Sequence, residues 1–318
     1  MIAVELDHAR ARVVERPDPV PAEGQVLVRM RAAGLNISDK LGGTYVAEPL
    51  PPGWIPGFEL SGERLDTREA VLGIVEGGAH AELVAVDARH LVPLPPGVDP
   101  AVAGGFMEAF TTAHRALVTV GALRKGERVL VAGAAAAVGL AAVQLADALG
   151  AAVIADIPGL TRAPEHADDL EHYAGKLREL GAAEVVVPGE AEGPFDLILH
   201  VIGDLGQTIS QVARHGRIVL ANTEAVTSAA GPVQALDLGI LMRRAATLRT
   251  VLPRALTPDE KADAVAALAR EVLPLLATGQ VGMPIDSTFP LSEAPAAFAR
   301  HVEAGKWGKV VLTAKEDE

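Results

Sequence analysis

Apolar and polar residues alternate from Gln25 to Met30 of the segment GQVLVRMRAAGL, and HAELVAVDARHLVPLP carries two more short runs of that kind. Successive side chains of a strand leave on opposite faces, so this alternation predicts half-buried strands. A proline-rich loop, EPLPPGWIPGFE, separates them. Together the first hundred residues read as a small, turn-rich, β-barrel-like domain. PAVAGGFMEAFTTAHRAL then reads as one helical stretch leading onward.

From Arg128 the rhythm changes. Short apolar runs at 129–132, 152–155, 184–187, 196–201, 217–221 and 247–251 alternate with helical patterns, notably 138–149 and DLEHYAGKLRELGA. Strand and helix repeated at this spacing predict a parallel, doubly wound sheet, whose strands are apolar on both faces. From Thr257 comes a long helical pattern, TPDEKADAVAALAREVLPLLATGQ, with Thr257 as N-cap and Pro258 at the first helical position. A strand in STFPL, a further helix and a last strand, GKVVLT, complete the pattern.

Composition narrows the chemistry. The 318 residues are 49% apolar and 3% aromatic, which suits small-residue packing of helices on a sheet. With 28 basic and 41 acidic side chains the formal net charge is −13, and no basic block stands out. Nucleic acid and anionic membrane surfaces are therefore not expected partners. There is no cysteine, which rules out disulfides and thiolate metal sites. Residues 1–6 read as a strand and no apolar run has membrane-spanning length, so a cytoplasmic protein is expected.

The segment from Arg128 to Asp156, RVLVAGAAAAVGLAAVQLADALGAAVIAD, has the outline of strand, tight turn, helix and strand. Such a turn can hold a dinucleotide pyrophosphate if its residues are small enough. With GQVLVRMRAAGLNISDK, IPGFELSG, GGAHAELV, LVPLPPGVDPAVAGG and FPLSEAPAAFARHVEAGKWGKVVLT in this order, the chain resembles the medium-chain dehydrogenase/reductase superfamily. Within it, the resemblance is to the zinc-free quinone oxidoreductase branch and runs almost end to end. It implies an α/β protein in which a doubly wound parallel (Rossmann) sheet domain, residues 120–255, joins a GroES-like β-rich catalytic domain, residues 1–119 and 256–318. Nicotinamide and substrate would lie between the two, and a homodimer formed through the nucleotide-binding sheets is the expected assembly.

Zinc-dependent members of that superfamily carry a cysteine and a histidine where this chain has Asn36 and Phe58, beside Glu59. An amide and a phenyl ring cannot replace thiolate and imidazole, so no metal is expected. The resemblance places Asn36, Asp39, Tyr45 and Thr112 near the nicotinamide or substrate. Tyr45 could donate a proton to a developing oxyanion. Asn36 and Asp39 could equally cap a turn, and Thr112 could be helix packing. His200 stands at a strand's C-terminal end, where the family often has an acid, and is either a site residue or a polar edge residue.

The implied cofactor positions are Thr112, Gly133, Ala136, Ala137, Val138, Gly139, Asp156 and Asn222. The branch commonly shows a glycine pair where Ala136 and Ala137 stand. Each methyl is expected to narrow the space over the phosphate and to disfavour positive φ, at about 1–3 kcal/mol for an overpacked methyl. The resemblance implies NADPH. Asp156, an acid after the second strand, points instead to a ribose without added phosphate and leaves NADH open. Two functional classes follow. One is a zinc-independent NAD(P)H-dependent oxidoreductase reducing a small hydrophobic quinone or α,β-unsaturated carbonyl substrate. The other is a non-redox enzyme (cyclisation, elimination or isomerisation) with weakened or lost cofactor binding; a non-catalytic scaffold is a third, weaker reading.

Overall fold

The computed structural model describes residues 1–7, 10–40, 53–158, 167–221 and 236–314. They form two compact units, Met1–Glu108 with Leu256–Glu318, and Ala109–Ala255.

In the first unit, six strands lie in the order Ile285–Pro290, Lys309–Thr313, Gln25–Gly34, Glu59–Arg64, Ala70–Ile74 and Leu91–Pro93, and Leu83–Asp87 also pairs with Gln25–Gly34. The pairings are antiparallel except that of the two C-terminal strands. Ile2–Asp7 and Arg10–Glu15 make a separate hairpin. The alternation read at Gln25–Met30 becomes a core through Val28, Met30, Leu60, Val84, Val310 and Leu312, all buried. Thr257 caps the helix Pro258–Glu271 in a capping box with Glu260, satisfying orphan donors reciprocally. The long helical pattern is in fact two helices: the first ends at Val272, and Leu273–Ala277 starts afresh with Pro274 in its first turn, since proline cannot donate into a continuing helix.

The second unit is the parallel sheet. In chain order its strands are Arg128–Ala132, Ala152–Asp156, Glu184–Val186, Phe195–His200, Val212–Leu220 and Thr247–Thr250, and the spatial order is third, second, first, fourth, fifth, sixth. The order reverses between the first and fourth strands, the topological switch point at which such sheets bind ligands. The fifth strand starts earlier than its apolar run, at Val212, and shifts register before Arg217, with His215 at φ 60°. The helical run after Pro100 is also broken: Asp99 caps Pro100–Gly104, and Met107–His114 follows, then a π-helical turn, Arg115–Val120. That turn packs on the strands Val212–Leu220 and Thr247–Thr250, within the second unit. Among the described residues no helix is long and apolar enough to cross a membrane.

Candidate functional site

Two clusters of polar groups stand out, one in each unit. In the first unit, the end of the strand Gln25–Gly34 brings Asn36 beside Glu59, the first residue of its strand, and Lys309, the first residue of the C-terminal strand. Glu59 has no exposed surface and Lys309 is 2% exposed. The Lys309 ammonium donates to Glu59 Oε1 and to Asn36 Oδ1. The Asn36 amide donates in turn to Glu59 Oε1 at 3.0 Å, and the Glu108 backbone N–H donates to Glu59 Oε2 at 2.8 Å. Gly34 makes the approach possible: a Cβ there would lie 2.5 Å from Glu59 Oε1.

Asp39 backs this cluster. It is fully buried, accepting the Asn36 N–H at 2.7 Å and the Gly57 N–H at 2.8 Å. Burial pushes its carboxyl up to about 7 despite those two amides. Glu108 is also raised to about 7, by burial and by the Glu59 carboxylate, with Lys309 and Lys261 opposing. His80 Nε2 lies 3.2 Å from the Gly34 carbonyl, to which it donates in that tautomer, and burial lowers its pKa to about 4. The ring is therefore neutral at pH 7.

Asn36 and Asp39, both singled out from the sequence, thus belong to one network. Asn36 is half-buried and its amide is engaged on both sides. Asp39 caps the turn on which Asn36 stands. Lys309 escaped the sequence reading altogether. The available signal was a lysine set directly before the apolar run VVL of the strand KVVLT, where a solvated side chain has no place.

In the second unit, the turn after Arg128–Ala132 carries the glycine question. Gly133 has φ +90°, and a Cβ there would stand 2.7 Å from the Ile202 amide nitrogen. At Gly139 a Cβ would meet the Gly133 carbonyl oxygen at 2.2 Å. Both ends of the motif therefore require glycine. The middle does not. Ala136 sits at φ −76°, ψ 157° as N-cap of the helix Ala137–Ala148, and none of the turn's alanines has positive φ. The expected backbone strain at these methyls is absent, because the turn takes its left-handed residue at Gly133 alone.

Ala136 offers no side-chain acceptor to the helix's first-turn amides, and residues 135–138, including Ala137 and Val138, are half-buried. A helix start in that state presents donors and a positive dipole end to an anion. Gly133 and Ala134 both donate their amides to the Asp156 carbonyl, at 3.1 and 2.9 Å, which ties the turn to the second strand. Asp156 is 9% exposed, its side-chain Oδ1 has no hydrogen-bond partner, and burial raises its pKa to about 6. His200 closes the fourth strand, fully buried. Thr112 is buried within Met107–His114. Tyr45 and Asn222 lie outside the described residues.

Comparison with known proteins gives this arrangement its family. A family model described as zinc-binding dehydrogenase matches residues 180–312. The quinone oxidoreductase of Thermus thermophilus, a protein whose structure is also known in complex with NADPH, is 34% identical over 98% of this chain and 100% of its own, with a TM-score of 0.80. A quinone oxidoreductase of Pseudomonas aeruginosa is 29% identical over 94% of this chain and 95% of its own length. The spectinabilin polyketide synthase system protein NorB of Streptomyces orinoci is 31% identical over 92% of this chain, which spans only 13% of that protein. The chain spans 8% of a second such relative, the erythronolide synthase EryA2 of Saccharopolyspora erythraea. The chain belongs to the medium-chain dehydrogenase/reductase superfamily, in its zinc-free, quinone-oxidoreductase-like branch.

The zinc of the matching family description does not fit these residues. The sequence has no cysteine, and among the described residues no three His, Cys, Asp or Glu side chains converge to hold a metal ion. Glu59 spends its carboxylate on an ammonium and a backbone amide. Phe58, buried beside it, contributes no donor atom.

Proposed function

We propose that the protein is an NAD(P)H-dependent reductase of a small hydrophobic quinone or α,β-unsaturated carbonyl compound. The observation that carries this reading is the 133–139 turn. It keeps glycine at the two positions where no Cβ fits, and leaves the helix start behind it without a side-chain cap. That geometry suits a diphosphate and weighs against a turn spoiled for nucleotide. When bound, the nicotinamide supplies the hydride, and the protein supplies orientation and polarity.

The chain's own residues divide that work. The amides of the helix start hold the diphosphate. Asp156, buried with an unpaired oxygen, accepts ribose hydroxyls and repels an added phosphate. We therefore assign NADH as the preferred form. Lys309 and Glu59 fix the orientation of Asn36, the half-buried member of their network, for contact with cofactor or substrate carbonyl. Asp39 holds the turn on which Asn36 stands, and Tyr45 remains the candidate proton donor.

Titration of the purified protein with NADH and NADPH, followed by nicotinamide fluorescence, checks this directly. Saturable binding at micromolar concentration is expected, tighter for NADH. No response to either at millimolar concentration overturns the redox reading.

A homodimer through the parallel sheet is part of the same proposal. Among the described residues Thr247–Thr250 is one of the sheet's two edge strands, and an edge strand invites pairing. The helix Leu238–Arg244, which precedes it, buries none of its residues and leaves Met242 82% exposed. Light scattering is expected to give twice the 32.9 kDa chain mass; a monomer at micromolar concentration refutes this assembly.

A further inference from the structure

The parallel sheet ends on a row of four residues in register across neighbouring strands: Asp156, Ala132, His200 and Leu220. Residues in register on parallel strands point to the same face of the sheet. Two positions earlier the same strands place Ile154, Leu130, Ile198 and Ile218 in one apolar cluster. The row is thus the upper rim of a hydrophobic core, and Leu220 is the residue such a rim ordinarily takes.

Its other large members are polar and unsatisfied. Asp156 Oδ1 and both ring nitrogens of His200 are buried without a hydrogen-bond partner. The Asp204 carboxylate and the Gly203 backbone carbonyl favour protonation of His200 against its burial, yet no bond of normal geometry forms. Buried polar groups are nearly always paired, so each exception needs a cause. Here two exceptions flank a single alanine, at the switch point of the sheet.

We infer that His200 is a further recognition residue for the nucleotide, reading the base of its adenosine half across Ala132 while Asp156 takes the ribose hydroxyls. This rests on the nucleotide reading above. The two polar residues stand two strand spacings apart, roughly 9–10 Å, the span of a nucleoside and not of a single phosphate. Burial holds the His200 pKa down at about 4, so at neutral pH the ring offers one donor and one acceptor and no charge. That suits the heteroatom edge of a base. No residue of the row is a cation, so a 2′-phosphate would meet a carboxylate and a neutral ring. Over the ring, Gly203 is at φ +128°, and a Cβ there would lie 3.8 Å from His200 Cε1 and 3.6 Å from Pro158 Cγ. A methyl-sized space therefore separates that turn from the imidazole.

Isothermal titration calorimetry with ADP-ribose and its 2′-phosphorylated counterpart tests this on the full chain. Wild type is expected to prefer ADP-ribose, and His200→Leu to lose roughly tenfold in affinity for it with no loss of thermal stability. Asp156→Asn is expected to narrow the discrimination between the two ligands. His200→Leu with wild-type affinity and a higher melting temperature overturns the inference, since the imidazole would then be only an unpaired core group. His200→Phe, which keeps the ring without its nitrogens, is read for the same two outcomes if the leucine variant does not fold. Wild type that binds neither ligand refutes the nucleotide reading itself, and this inference with it. Wild type that binds ADP-ribose while His200→Phe or His200→Leu binds it equally well refutes only the inference.

Discussion

Lys309→Met is expected to lower the melting temperature by roughly 10 °C, from a loss of about 3–5 kcal/mol at about 2–4 °C per kcal/mol. Methionine matches the aliphatic stem, so little packing changes. What goes is the ammonium. Glu59, with no exposed surface, keeps one amide partner on each oxygen and loses the cation bonded to it. Asn36 Oδ1 loses its donor as well. An unpaired charge in that position costs far more than the intact pair contributes, because desolvation consumes most of the pair's attraction. The double variant Lys309→Met, Glu59→Gln is therefore expected to recover part of the loss, a coupling readable by calorimetry as a departure from additivity. Equal melting temperatures for wild type and Lys309→Met would show that the pair holds nothing in place.

The reason this pair stayed hidden in the sequence is separation. Glu59 and Lys309 are brought together only by the pairing of the C-terminal strand with Gln25–Gly34, and of that strand with Glu59–Arg64. Read alone, Glu59 is a carboxylate lacking a ligand set, and Lys309 a charge at a strand end. Asn36 was legible because a single residue type at a marked position already excludes thiolate chemistry. The parallel sheet was legible for a physical reason too: strands buried on both faces, such as Val129-Leu130-Val131-Ala132, leave continuous apolar runs. Local backbone decisions were harder. The break at Val272 and the bulge before Arg217 depend on one proline and one left-handed histidine, inside patterns that otherwise read as continuous. His200 was visible as the polar end of DLILH, but its meaning comes from register, which sets it in line with Asp156 across Ala132.

The turn at 133–139 lends itself to the sharpest contrast between two small substitutions. Gly139→Ala is expected to cost about 3 kcal/mol or more and to weaken NADH binding on the order of a hundredfold. The added methyl would meet the Gly133 carbonyl oxygen at 2.2 Å and Ala134 Cα at 2.7 Å, both backbone atoms. Neither can swing aside as a side chain could, so the helix start must move away from the turn, and with it the amides that face the diphosphate. Ala136→Gly, the reverse exchange three residues earlier, is expected to change affinity less than about tenfold. Its backbone is at φ −76°, where alanine and glycine are both at ease. Calorimetric titration of the two variants with NADH, beside their melting temperatures, measures both effects at once. A hundredfold gain in affinity for Ala136→Gly would mean that the methyl, and not the ends of the motif, limits the room for the diphosphate. A silent Gly139→Ala would mean that helix and strand need not approach so closely there. The expected outcome locates the steric demand of a dinucleotide turn at its two end glycines, and explains how this chain can carry alanines between them.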